Sequence, residues 1–329
     1  MSTFTAPIDL VYLYVNSSDE EWVNKRNQYA MDHNNSACRF RDNHELMYSL
    51  RSVEKYAPWI RNIYIISNSA MPDWLNTNHP KLHIVEHEDI MPPNILPCFN
   101  SNVIESYLYK IPGLSEIFLY ANDDMFFGNA VSPDFFVKDG KPIVRMIKKA
   151  VTPDSYYNMA ILNSKKIVFD YYGKEYPLVP WHNIDVYTKT GIENCKKDFA
   201  KEFEIASHNN LRAENDIQRV IFHYHLLIHN SCILKVYNNS SLPMLVMSSL
   251  KKLFLPSKYI DYLFCTIHNI FSHPFIPKIL LKHPKCACVN DSEQTTEEEL
   301  RQYPIFMEKM FPERSSFEHS ESTNDAKKE

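Results

Sequence analysis

The sequence predicts an α/β fold with a mainly parallel sheet and a helical basic-apolar segment near the C-terminus. Three observations support this. Over the first 150 residues, short β-branched and aromatic runs alternate with stretches of helical spacing, as a parallel sheet with crossover helices requires. The polar run Asn122-Asp123-Asp124 directly follows the fourth such strand, where open α/β sheets bind their ligands. From about Leu245 to Lys285, Lys251, Lys252, Lys258, Lys278, Lys282 and Lys285 interleave with Leu, Phe, Ile and Tyr, and only Asp261 opposes them.

The elements follow in order. The first strand lies within the run from Ile8 to Val15 and stops at the polar Asn16-Ser17-Ser18-Asp19. Asp42-Asn43-His44-Glu45 has the form of a capping box. Leu46, Leu50 and Val53 continue at helical spacing until Pro58 ends the helix. Ile63-Tyr64-Ile65-Ile66 and Leu82-His83-Ile84-Val85 read as strands. Ser101 or Asn102 caps a helix with Ile104, Leu108 and Ile111 on one face, and Ile117-Phe118-Leu119-Tyr120 is the fourth strand. The middle is less regular: Trp181-His182-Asn183 sits in a proline-flanked loop, and Asn215-Asp216 precedes a helix carrying Ile217, Val220, Ile221 and Tyr224. Thr296 opens a helix whose first turn is Glu297-Glu298-Glu299.

Composition excludes several function classes. At 44% hydrophobic and 23% charged, the 329 residues can bury a core. A formal charge of −5 and a pI near 6.3 argue against a nucleic-acid partner. The 5 glycines lie too far apart for a G-x-G-x-x-G turn or a P-loop, so a Rossmann-type dinucleotide enzyme and a Walker-type hydrolase are not expected. Phosphate must be held by side chains, a metal or isolated helix N-termini. The 7 cysteines contain no C-x-x-C pair, which suits a reducing cytosol; a Cys286–Cys288 redox pair is the minor alternative. No signal peptide and no membrane-spanning run is expected.

The candidate chemistry centres on Asp123 and Asp124. Adjacent carboxylates repel unless positive charge binds them, and hard oxygen ligands suit Mg²⁺ or Mn²⁺. The plain alternative is an Asn-Asp turn. Asn290-Asp291 admits the same two readings. His182 is a base, a phosphate ligand or a structural hydrogen-bonder. Arg212 and Asp216 flank a helix start, where a salt bridge is the simpler account. Arg39, Arg41 and Arg51 with Asp42 either clamp a diphosphate or form a surface ion-pair network.

Longer motifs discriminate more sharply. The stretch from Arg39-Phe40-Arg41-Asp42-Asn43-His44-Glu45 to Tyr56-Ala57-Pro58-Trp59 strongly resembles the second conserved region of the Stealth family. So do Leu96-Pro97-Cys98-Phe99-Asn100-Ser101, Ile104-Glu105 and Ile111-Pro112-Gly113-Leu114-Ser115-Glu116, leading into Asn122-Asp123-Asp124-Met125. Asp9 to Asp19 looks like the first region, with Asn16 where an aspartate is usual. His182 through Leu211-Arg212-Ala213-Glu214-Asn215-Asp216 is similar to the third. Asn290-Asp291 and Phe311 to Glu318 are similar to the fourth.

The resemblance implies sugar-1-phosphate transfer on a glycosyltransferase-A-like core with a divalent metal. Bacterial members of that family build capsular or exopolysaccharides; animal relatives modify lysosomal enzymes with N-acetylglucosamine-1-phosphate. It places Asp123, Asp124, His182, Arg212 and Asp291 in the active site. We therefore expect His182, Asp123 and Arg212 to be catalytic, and Asp124 and Asp291 to hold Mg²⁺ or Mn²⁺. Substrate contacts are expected from Asn16, Arg39, Arg41, Asp42, Asn43, Arg51, Asn100, Ser101, Asn122 and Asp216. The partners would be a nucleotide-sugar donor, with a UDP-sugar foremost, and an oligosaccharide or lipid-linked acceptor. A UDP-releasing glycosyltransferase, a phosphohydrolase and a carbohydrate-binding protein are the alternatives. Residues 1–318 form one expected catalytic domain: an α/β nucleotide-sugar half (1–150), a second half of the site (151–240), a basic helical insertion (241–288) and a C-terminal active-site segment (289–318). A disordered tail (319–329) follows. The expected location is cytoplasmic, with the lysine-rich insertion touching the inner face of the membrane peripherally.

Overall fold

A computed structural model describes residues 5–30, 38, 41–238 and 260–320. Its centre is a five-stranded sheet. Strands β1 (Asp9–Leu13), β2 (Ile63–Ile66), β3 (Leu82–Val85) and β4 (Ile117–Asn122) run parallel in the order β3-β2-β1-β4. All four predicted strands are present, and β2 is buried at every position, as a strand covered on both faces must be. Strand β9 (Asp185–Thr188) closes the edge antiparallel to β4.

Strand β5 (Met125–Phe127) leaves this sheet two residues after β4 ends and pairs instead with β12 (Cys286–Asn290), which runs parallel to β11 (Tyr262–Thr266). Asp123-Asp124 is therefore the joint between two sheets. A third sheet is built on β7 (Lys141–Lys148), flanked by β6 (Val137–Lys138), β8 (Leu178–Pro180) and β10 (Ile233–Asn238). Strands β5 to β12 escaped the sequence reading. Most are short, and β5 and β8 are only three residues each, too brief to show a period.

The helices are α1 (Glu20–Asn27), α2 (Glu45–Tyr56), α3 (His87–Ile90), α4 (Ser101–Glu105), α5 (Tyr156–Tyr172), α6 (Lys189–Asp198), α7 (Ala200–Ser207) and α8 (Val220–Ile228), followed by Ile267–Ser272, Ile276–Leu280 and Glu297–Met310. The last starts as expected, with Thr296 and Glu299 satisfying each other's backbone N–H groups in a capping box. The capping box expected at Asp42 is absent. His44 takes the cap position in a left-handed conformation (φ 63°), and Glu45 turns back to accept from the Asn43 backbone N–H (2.6 Å) and side-chain amide (2.7 Å). Helix α4 is capped by Asn100, one residue before the expected cap. It ends at Glu105, so Leu108 and Ile111 lie beyond it. Helix α8 starts at Val220, because Asp216 holds residues 213–216 in a turn by accepting from the Ala213 N–H.

Two expectations need correction. The basic segment is not a helical insertion where it is described. Residues 260–288 supply β11, two short helices and the start of β12, and Leu263, Ile270, Ile276, Ile279 and Leu280 are core. Apolar residues at those positions face protein, and Lys285 pairs with Asp261 at 3.0 Å. Lys251, Lys252 and Lys258 lie outside the described residues, as does the expected tail from 321 onward. Arg51 is likewise no diphosphate clamp. Its guanidinium is buried against Glu318 (2.8 and 2.7 Å), Glu308 (2.8 Å) and the Phe311 carbonyl (2.9 Å), tying the C-terminal segment onto α2.

Glu318 is 3% exposed, so removing its partner strands a buried charge. Arg51→Met should lower the unfolding free energy by roughly 3–5 kcal/mol in urea titration. A loss below about 1 kcal/mol would reduce the clamp to the value of a surface ion pair.

Candidate active site

One cavity of about 1040 Å³ dominates the described residues. It opens outside the carboxyl ends of β1 and β4, where Leu13 sits beside Asn122, and the lining continues through Tyr14 and Val15 on one strand and Asp123-Asp124 on the other. Of the expected site residues, Arg41, Asp42, Ser101, Asn122, Asp123, Asp124, His182, Arg212 and Asp291 line it, drawn together from positions 250 residues apart.

One wall is acidic. Asp123, Asp124, Asp42 and Glu45 crowd the joint after β4. Burial, then the charges of Asp124 and Asp42, push Asp123 up to about 8. Burial and Asp123 push Glu45 up to about 8, and burial leads the rise of Asp124 to about 7. The Cys288 thiol donates to Asp124 Oδ2 (3.4 Å) and tempers that rise, while Asp124 Oδ1 is buried with no hydrogen-bond partner. An orphaned buried carboxylate oxygen amid protonatable acids fits a hard divalent cation. Asp291 is less available. Arg41 grips it in a bidentate pair (2.7 and 3.1 Å), and the Ser292 N–H adds a third donor. Arg41 is thus committed to orienting Asp291.

A second part of the lining is basic. Arg212 donates to Ser101 Oγ (2.9 Å). Arg219 is buried, 3.4 Å from Glu105 and 3.7 Å from Asp185, and sits 5.0 Å from the Tyr120 ring centre. Its Nε and Nη2 make no close hydrogen bond among the described residues; Nε faces the Asp185 carboxylate, so the guanidinium is held chiefly by ion pairing. Sequence reasoning missed Arg219 and Glu105 as site residues. Glu105 stood inside the quoted Ile104-Glu105 motif, but nothing in its spacing showed that it faces an arginine 114 positions away. His182 lines the cavity near these arginines, in a left-handed conformation (φ 50°), edge-on to the Tyr157 and Phe264 rings. Burial, with Arg219 and Arg212 nearby, pulls its imidazole down to about 3, and its Nδ1 has no partner. It is neutral at physiological pH.

Five expected contacts are not at the cavity. Asn16 braces the loop after β1, bonding Ala70 and the Ser18 and Ser69 groups. Asn43 serves Glu45, and Arg51 serves the C-terminus. Asp216 is fully buried and accepts from Asn100, Asn102 and Asn209. Asn100 and Asp216 therefore position the Arg212 loop against Ser101 without facing the cavity. Arg39 lies outside the described residues.

The family model described as Stealth protein CR2, conserved region 2, matches residues 39–144. A capsular polysaccharide phosphotransferase of Streptococcus pneumoniae is 32% identical over 352 aligned residues, covering 94% of this chain and 98% of that protein. The chain belongs to the Stealth family. Two further relatives extend the comparison. A capsular polysaccharide phosphotransferase of Haemophilus influenzae is 35% identical over 66% of this chain, and an exopolysaccharide phosphotransferase of Lactiplantibacillus plantarum 40% identical over 51%. The Stealth chain spans 64% and 50% of their lengths respectively. The matched region ends within β7, and so contains the acidic joint and Glu105 but neither His182 nor Arg212.

The acids of this Stealth site make a pH prediction. Asp123 has its folded value raised from 3.8 to about 8, so between those limits the folded state holds a proton that the unfolded state has lost. Its contribution is fully present below the unfolded value and disappears as pH rises through the folded one. In metal-free buffer the melting temperature should fall from pH 5 to pH 8.5. Asp123→Asn should flatten that fall and melt higher than wild type at pH 8.5. A variant that melts lower at pH 8.5 would refute buried-charge repulsion at Asp123.

Proposed function

We propose that this chain transfers a sugar-1-phosphate from a nucleotide sugar, foremost a UDP-sugar, to a hydroxyl of a growing polysaccharide or its lipid-linked primer. The carrying observation is one cavity whose lining joins the acidic cluster, with the orphaned Asp124 oxygen, to the guanidiniums of Arg212 and Arg219. The names of the capsular and exopolysaccharide relatives support the same chemistry. In this reading the parallel sheet is the glycosyltransferase-A-like platform for the donor. The acceptor oxygen attacks the β-phosphorus, the bond to the bridging oxygen breaks, and UMP leaves with the electron pair. The sugar's own carbon–oxygen bond is untouched, so its anomeric configuration is kept.

Arg212 and Arg219 hold the diphosphate and meet the charge that grows on its oxygens. A Mg²⁺ or Mn²⁺ ion held by Asp124, with Asp291 beside it, would supply further neutralisation of the diphosphate. His182 accepts the hydroxyl proton on its imidazole. Burial does most to lower its basicity and both arginines add to it; a bound diphosphate would offset the arginines' share and draw its pKa upward as substrate arrives. Asp123 is the competing base. The lysines at 251, 252 and 258 give a peripheral route to an anionic membrane, and no described helix is long and apolar enough to cross one.

Incubation of purified protein with UDP-sugars and oligosaccharide acceptors should release UMP, with acceptor-dependent turnover. Release of UDP would assign an ordinary glycosyltransferase. In the same assay His182→Ala should cut kcat by roughly 10²–10⁴-fold, and a near-full rate would remove it as the base. Chelator should abolish turnover, with restoration by Mg²⁺ or Mn²⁺, and Asp124→Asn should stay inactive under both conditions. Full activity in excess chelator would end the metal role.

A further inference from the structure

A second group of ligand-bearing side chains lies away from the cavity. Asp198, the last residue of α6, faces His225 and His229, one turn apart at the end of α8. The Nε2 of His225 stands 2.9 Å from Asp198 Oδ2, and the Nε2 of His229 is 3.8 Å from the same oxygen. The two imidazole rings are 4.4 Å apart, and ligand atoms from all three residues lie within 4.8 Å of one another. It is the sole such trio among the described residues, and none of its members lines the cavity. Arg219 caps the other end of α8, about 15 Å away along the axis.

We infer that Asp198, His225 and His229 form a transition-metal site of the zinc class, with the fourth position open to water. Three features point there. Histidines four residues apart on a helix present both rings on one face, and two imidazoles with one carboxylate suit Zn²⁺ and neighbouring metals rather than Mg²⁺. A carboxylate at the C-terminal residue of a helix meets the negative end of the dipole, where a cation is favoured instead. Tyr172, at the end of α5, donates to Asp198 Oδ2 at 2.9 Å and so already supplies the outer hydrogen bond that orients a ligating carboxylate. With one ion, the ends of α5, α6 and α8 are tied at a single point. Asp198 and His229 are roughly half-exposed, so the ion has a way in.

The test uses the full chain stripped with chelator and titrated with ZnCl₂ by calorimetry, alongside Co²⁺ followed by its visible absorption. Wild type should bind Zn²⁺, show the intense bands of a low-coordinate Co²⁺–imidazole centre and melt at higher temperature with zinc. His229→Ala changes an exposed side chain and should melt like wild type without metal, but it should lose the Co²⁺ bands and at least 10-fold in zinc affinity. Asp198→Asn should likewise lose the Co²⁺ bands and the zinc affinity. Zinc bound only at the acidic cavity would survive in both variants and disappear in Asp124→Asn. That pattern, or identical titration of wild type and His229→Ala, would overturn the site. UMP release is not the readout, so failure here is separable from failure of the proposed reaction.

Discussion

Several carboxylates are held at the joint where the chain leaves one sheet for another, and the site is organised around that constraint. Asp123 and Asp124 cannot move apart, because β4 fixes one side of the joint and the β5–β12 pairing the other, with the Val289 N–H bonded to the Asp124 carbonyl. Their desolvation is offset in three ways. Protons are retained on acids that would ordinarily lose them. A thiol donates to one oxygen. Positive charge is recruited across the cavity, most of it on side chains that are themselves buried and paired. Burial and like charge at such close range together hold these acids above the usual carboxylate range.

The basic wall is held by a buried hub. Asp216 collects the side-chain amides of Asn100, Asn102 and Asn209 and thereby sets the loop that carries Arg212. Arg219 is fixed by Glu105 and Asp185. Both guanidiniums are thereby held in fixed positions along the cavity lining.

The sequence made the parallel strands legible because each is an apolar run ended by polar residues, and β1 to β4 were placed within two residues of their observed bounds. It made Asp123-Asp124 legible through position: two acids directly after such a strand. It could not show that β5 departs for another sheet, since three residues carry no period. The apolar residues of 260–288 were visible, but their partners Phe126, Tyr303 and Met307 are remote in sequence, so core and membrane contact looked alike. Arg41 and Arg51 illustrate the same limit. Both were seen as cations near one helix. Their actual partners, Asp291 and Glu318, stand 250 and 267 positions away, and only those partners reveal that one arginine borders the cavity and the other secures the chain end.

The clamp of Arg51 on Glu318 and the grip of Arg41 on Asp291 bear on the order of synthesis. On the ribosome the parallel sheet is complete once β4 has emerged, yet the acidic joint then lacks β12, Asp291 and the segment that packs over α2. A nascent chain therefore holds the parallel platform before it holds the full charge arrangement. Closure of the acidic joint thus waits on chain made well after its first acids: Cys288, which donates to Asp124, follows it by 164 positions, so assembly of the cavity is a late event in synthesis.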